Sequence, residues 1–485
     1  MFLKSKNIIY SADTIEWTKR QLFIFRITFI YILFLCVPID KMLFAYLGQQ
    51  IDWTDINCRD LFIIATYKHI SLIDLYDNEG FKWGLLGYVN FILPVLIAIP
   101  VALLWTWLAK EKKEYDTLQY WLQVVLRYRV GLGMIAWGYR KLMPSQMVLP
   151  TYSILNTPFG DIQAQKHYWQ SVGIVPGYEV FLGFAEFIPG ILLLFRKTSA
   201  LGATLTFVVM INVALANHAY DGSVHIHSFC YAILAFIILY QDLPGITNLL
   251  IKEKDTSLNK YYPSLSGFYK YFRIGAKSFV FLVFVFWFFA LQVKDYLETP
   301  YRLPKVPGIG ELRGFYNVEE FKINGKLLPY NPLDSVRWQE AIFEKWRTMS
   351  FTVNKPSVID RSNGGGYTKK DIDRKWEVAG IAGGKKWFHY EADTIDKTLY
   401  LQNKNNIHCG DKNLLHYIQQ YGAKSVEDSG ESCNEQFTFR YNIISESKVI
   451  LTGYNEKKES LYIVLHKQDV KYPLLEGRES DISTF

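Results

Sequence analysis

Cysteine is scarce in this chain: five residues in 485, with no Cys-x-x-Cys pair. Thioredoxin-like dithiol chemistry therefore has no support. Paired His-x₃-His zincin spacing is missing, and no Gly-Lys-Ser/Thr follows the Gly364-Gly365-Gly366 run, so that run lacks phosphate-loop context. There is no nucleophile elbow for a Ser-His-Asp site. Zinc-finger spacing and other nucleic-acid modules are also missing, so the net charge of +7 does not read as a nucleic-acid footprint. Long apolar runs are missing too, but only after about Val293.

What is present before that point is apolar length. The chain is 50% hydrophobic and 16% aromatic, and these averages mix a membrane half with a soluble half. Runs of spanning length fall at residues 22–38, 83–109, within 118–143, and at 178–195, 201–216, 224–240 and 274–293. The first is read as a retained span, because no small-x-small cleavage site follows it. Residues 61–76 inside the polar insertion 40–82 are amphipathic and read as an interfacial helix or pair of helices. The segments 1–20, 110–115, 196–197 and 242–273 carry Lys and Arg clusters, whereas 40–82, 144–177 and 218–222 are acidic or nearly uncharged. The positive-inside rule then puts the N-terminus in the cytoplasm and, with about seven spans, everything after Lys294 outside.

The expected fold is a membrane all-α bundle over residues 1–298, a linker over 299–312, and a soluble, mainly β domain over 313–485. FKINGKLL reads as a hairpin turning at Asn324-Gly325. KWFHYEA, KTLYLQ, FTFRYNII, KVILTGY and SLYIVLHK alternate apolar and polar residues as strands do. Residues 335–346 and 411–422 read as amphipathic helices. A run of sequential strands predicts a meander, either closed into a lipocalin-like up-and-down barrel or left as a sheet packed on a helix. Cys409 and Cys433 flank the second helix and form a candidate disulfide.

Charge inside the bundle marks the candidate functional residues. Arg127, Gly131, Met134, Gly138 and Lys141 fall on one helical stripe, and Glu186 lies mid-span in the next run, with Arg127 as its candidate partner on charge alone. The plain alternative is a structural ion pair. Arg26, Arg129 and Arg140 read as side chains that snorkel to the interfaces. A second cluster, Asn217, His218, Tyr220, Asp221, His225 and His227, sits at the outer membrane edge. His225 and His227 are two residues apart and diverge by about 200° on a helix, so no metal is expected there. A polar cap is the plain reading of this edge, and a quinone or lipid-headgroup site the functional one.

Residues 123–240 carry a set of spaced motifs: LRYRVGLGMIAWGYRKL, then LLLFRKTSALGA, then NHAYDG before a helix with Ser228. This stretch resembles the DoxX-like membrane family, matching its Gly-x-x-Lys-Leu at Gly138-Lys141-Leu142 and its Asn-x-x-Tyr-Asp turn at Asn217-Tyr220-Asp221. The family's turn continues Val-Pro-Val-Lys where this chain has Gly222-Ser223-Val224-His225, so a role for that lysine does not carry over. FIFRI in the first span is weakly similar to the transmembrane domain of the vitamin K-dependent carboxylase group. The resemblance implies a bacterial inner-membrane protein with a periplasmic domain, redox-associated and binding a quinone or similar isoprenoid. The other expectation is a non-catalytic assembly or export factor with a protein partner in the envelope, motivated by the lack of a complete catalytic motif.

Overall fold

The computed structural model describes residues 17–39, 41–70, 72–73, 85–222, 224–256, 261, 263, 266–298, 302–355, 359–360, 364, 370–404 and 435–475. The candidate disulfide Cys409–Cys433 and the helix expected over 411–422 lie outside the described residues. A helical region comes first and a β-barrel follows.

The helices are α1 (Lys19–Cys36), α2 (Lys41–Ala45), α3 (Cys58–Thr66), α4 (Val89–Leu108), α5 (Asp116–Leu142), α6 (Tyr152–Leu155), α7 (Ala164–Gly173), α8 (Pro176–Leu194), α9 (Ser199–Ala219), α10 (His225–Tyr240), α11 (Leu243–Leu250), α12 (Gly267–Val280) and α13 (Phe288–Glu298). A π-helical segment, Phe281–Trp287, joins the last two into one continuous helix. A helix therefore stands at each of the seven apolar runs. Among the described residues four are long and apolar enough to cross a membrane, and five if α10 and α11, bent by 73° at their junction, count as one. That is the composition of a membrane protein. The two prolines inside α4, Pro94 and Pro100, do not end it.

Several expectations change here. Helix α3 does not lie on the surface: Cys58, Leu61 and Ala65 are buried against α5 and α13. The nearly uncharged stretch 144–177 folds α6 and α7. Residues 335–346 are not a helix. They carry strand β3 (Glu340–Phe343), which pairs on both sides. Two ladders and a buried Arg337, which donates to the carbonyls of Leu328, Val318 and Trp338, outweigh the local helical pattern.

The other strands are β1 (Gly314–Ile323), β2 (Lys326–Leu327), β4 (Thr348–Thr352), β5 (Lys385–Asp393), β6 (Thr398–Asn403), β7 (Gln436–Ser445), β8 (Lys448–Asn455) and β9 (Ser460–Gln468). Sequential antiparallel pairing runs from β3 to β9, and β1 pairs with both β3 and β9. That last pairing closes an eight-stranded barrel, with β2 as a short hairpin partner of β1. Asn324 and Gly325 both have positive φ, 50° and 76°, as a tight hairpin requires. The barrel is solid. Trp338, Phe351, Phe388, Phe437 and Phe439 fill it, with Trp338 stacked on Phe351 at 3.8 Å.

The outer wall of β3–β5 is sealed as well. Glu344 accepts from the first backbone N–H groups of α6, at Tyr152 and Ser153. Lys385 donates to the carbonyls of Ser153 and Asn156. The expected linker is part of this seam: Arg302 sits between Trp169 and Trp376, 4.5 and 4.6 Å from their rings. Burial against the covering layer holds the Glu344 carboxyl above the usual carboxylate range. Lys166, whose ammonium donates to the Trp376 carbonyl, is pushed down to about 7, by burial first and by Arg302 second.

Candidate functional site

Helix α5 is the spine of the bundle. Its stripe of Gly131, Met134 and Gly138 packs on α8. A Cβ on Gly138 would come within 2.8 Å of Phe187, and one on Gly131 within 3.0 Å of the Gly190 carbonyl. This close approach brings Lys141 Nζ to 2.8 Å from Glu186 Oε2, both buried. So Glu186 pairs with Lys141, not with Arg127. Arg127 lies fourteen residues earlier on α5, about 21 Å away along the axis.

Neither Arg129 nor Arg140 snorkels. Arg140 is 2% exposed, 4.0 Å from Asp295 and over the Phe62 ring. Arg26 is equally buried, bonded to Tyr115, Thr106 and the Ala109 carbonyl. Arg129 is thirteen residues from either end of α5, about 20 Å, which is beyond the reach of its side chain. It is 5% exposed. Its guanidinium donates to Tyr231 Oη at 2.6 Å, to the Ala65 carbonyl at 3.1 Å and to the Tyr67 carbonyl. The Tyr67 ring stacks 3.8 Å from it.

Local sequence explains how this centre forms. Gly133 leaves the room that the Tyr231 ring occupies, since a Cβ there would lie 1.9 Å from the phenol oxygen. The chain after α3 then runs extended, with Ile70 N–H bonded to the Phe34 carbonyl, and carries His69 onto Phe91 at 5.0 Å. His227 lies 5.0 Å from the Tyr231 ring and 6.2 Å from Trp137. His69 Nδ1 and His227 Nε2 are sealed from solvent and make no hydrogen bond among the described residues.

The eight candidate residues separate into three places. Lys141 and Glu186 form the α5–α8 pair, and Lys141 Nζ is 5.6 Å from Trp137, so the pair borders the Arg129 centre. Asn217, His218, Tyr220, Asp221 and His225 form an edge at the turn from α9 to α10. There Asn217 Nδ2 donates to the Val213 carbonyl, His225 Nδ1 donates to the Gly222 carbonyl, and the His218 and His225 rings lie 5.5 Å apart with Tyr88 against both. Asp221 has a φ of 55°, and Tyr220 stacks on Tyr168 of α7 at 4.8 Å. This edge is a braced turn with its aromatics engaged. Arg127 lies about 3 Å along α5 from Arg129, on the opposite face of the helix. Among the described residues no group of three His, Cys, Asp or Glu side chains converges as metal ligands.

Arg129, Tyr67, His69 and Tyr231 were not legible as a unit. Helix arithmetic on Arg129 was the available signal, because a central arginine cannot snorkel; the re-entry of 65–70 into the bundle has no sequence signature.

No family model matches the chain. A stretch of 74 residues, 15% of the chain, is 34% identical to the "Uncharacterized protein YwoB" of Bacillus subtilis (strain 168). The match spans about half of that relative, 48% of its length. No solved structure matches. The likeness to the Bacillus protein is therefore one of a segment, and its printed name carries no activity.

Proposed function

We propose that this chain is a DoxX-like inner-membrane protein of about seven spans, with its barrel on the periplasmic side. Its bundle binds a quinone, or a similar carbonyl-bearing isoprenoid, at the Arg129 centre. One observation carries the reading: a guanidinium deep in the bundle has phenol and carbonyl partners, and two imidazole nitrogens beside it are sealed and, among the described residues, make no hydrogen bond. A quinone oxygen accepts from just such donors, and Phe62 and Trp137 supply a flat apolar wall, packed edge to face at 4.8 Å. The outer edge around His218 and Asp221 acts in this reading as a cap rather than the headgroup site. The experiment is lipid mass spectrometry on protein extracted gently from its own membrane. Stoichiometric quinone on the native protein, lost in Arg129→Gln and kept in His218→Ala, supports the reading. A native protein without quinone refutes it.

A second reading, a non-catalytic assembly or export factor, has its own observation. The barrel is filled, so it presents surfaces rather than a cavity. Its β6–β8 wall exposes, among the described residues, Tyr400 and Tyr454, across β7 from one another, beside a groove of about 550 Å³ lined by Gln436, Thr438, Asn455 and Lys458. A specific exported protein lost from the envelope on gene deletion, and cross-linked through this wall, would favour it.

A further inference from the structure

The barrel wall beyond the covering layer has a composition of its own. Glu344 and Lys385 tie the outer face of β3–β5 to α6, whereas the outer face of β6–β8 is exposed. There Leu399, Leu401, Phe437, Phe439 and Leu451 turn into the barrel, and strand alternation leaves polar side chains and two rings outside. Tyr400 lies directly opposite Thr438, and Thr438 directly opposite Tyr454. The two tyrosines, 51% and 59% exposed, therefore stand in one row, two strand spacings or about 10 Å apart. Gln402 and Gln436 face each other in the next row. Among the described residues the side chains of Gln402, Gln436 and Thr438 make no hydrogen bond.

A groove of about 550 Å³ runs beside Tyr454, with Gln436, Thr438 and Asn455 in its lining. Its two charged residues, Glu456 and Lys458, are opposite in sign, and the Glu456 carboxylate accepts from the Gln436 N–H. On the flank Glu391 is paired with Arg347, and Glu435 with Lys386. The charges of the groove balance, so it does not select an ionic ligand. A protein interface gathers its apolar side chains at a dry centre. Here the centre between the rings is Thr438, with amides beside it. Rings next to neutral donors and acceptors suit a pyranose, whose C–H face packs on an aromatic ring while its hydroxyls both donate and accept. In a β1,4-linked chain each sugar is turned over relative to the last, so every second one offers the same face. That two-sugar repeat matches the separation of the two tyrosines.

We infer that the β6–β8 wall binds an uncharged β1,4-linked pyranose chain, laid across the strands from Tyr400 over Thr438 to Tyr454. Gln402 and Gln436 serve its hydroxyls. The site belongs to the barrel and does not depend on the Arg129 centre.

Isothermal titration calorimetry of the full-length protein, in a detergent without a sugar headgroup, tests this with chitohexaose, cellohexaose and the α1,4-linked maltohexaose. At least one of the β1,4-linked probes should bind, and maltohexaose should not. Tyr400→Ala and Tyr454→Ala should each weaken that binding about tenfold, the worth of one aromatic contact. Tyr330→Ala, at an exposed tyrosine outside this row, should leave it unchanged. Tyr400 and Tyr454 are both exposed, so neither variant threatens the fold. Absence of binding by both β1,4-linked probes, equal binding of maltohexaose, or unchanged binding in either row variant overturns the inference. An exported protein cross-linked through Tyr400 or Tyr454, with no saccharide binding, also overturns it and gives the wall to a protein partner.

Discussion

Removing the Tyr231 hydroxyl leaves the Arg129 guanidinium short of one acceptor in a dry setting. Tyr231→Phe should therefore destabilise the bundle by about 2 kcal/mol, read as thermal melting in detergent. Gly133→Ala should have a similar effect, because its Cβ would drive the same ring away. The double variant should lose little more than either single one, since both remove one interaction. Additive losses would show that the two positions act separately. The Lys141–Glu186 pair behaves differently. Breaking it with Lys141→Met alone should cost about 3–5 kcal/mol by stranding a buried carboxylate, and adding Glu186→Leu should recover most of that loss. The sequence marked Lys141, Glu186 and Arg127 as charges needing partners, but pairing depends on how far two helices slide past each other. The glycine contacts of α5 with α8 fix that offset, and no single residue reveals it.

At the scale of elements, strand alternation was legible, and five strands fall where the alternating stretches stand. Closure was not. It needs β1 to find β9 across more than a hundred residues, and the choice between barrel and open sheet lies in that long-range pairing. The helix expected over 335–346 gave way for the same reason, since its Trp338 is the plug stacked on Phe351. Phe351→Ala should therefore cost the barrel about 3–5 kcal/mol in denaturant unfolding, because nothing nearby can collapse into a space walled by rigid rings. The seam gives a pH signature. Lys166 has its affinity for a proton lowered on folding, from an ordinary 10.5 to about 7. Between those values the unfolded chain holds a proton that the folded chain has released, so stability rises with pH across that window. Below about 7 both states are protonated and the penalty is felt in full. Lys166→Met should flatten the rise of melting temperature between about pH 7 and pH 10. A native melting temperature that falls with alkaline pH and is unaltered by the substitution would contradict this placement.

For the whole molecule, a filled barrel is clamped by its outer wall onto the layer above the helices, and the bundle beneath keeps its buried charge in separate stations. Composition showed that division into halves, because apolar length stops near Val293. It could not show that residues 302–306 belong to the clamp, with Arg302 between two tryptophans and the Lys305 and Val306 N–H groups on Asp371. Nor could it show that the segment after α3 enters the bundle. Those features join residues far apart in the chain through aromatic stacking and backbone carbonyls, which leave no periodic trace. The clamp makes the barrel a fixed cover over the bundle, whether the bundle holds a lipid or a protein partner.

The most direct test of the central claim is quantitative lipid mass spectrometry on the native protein and on Arg129→Gln, each extracted gently from its own membrane. The account predicts one quinone-class isoprenoid per native chain and none on the variant, with the melting curve of the barrel unchanged. Native protein carrying no such lipid, or a variant retaining it in full, would contradict the account.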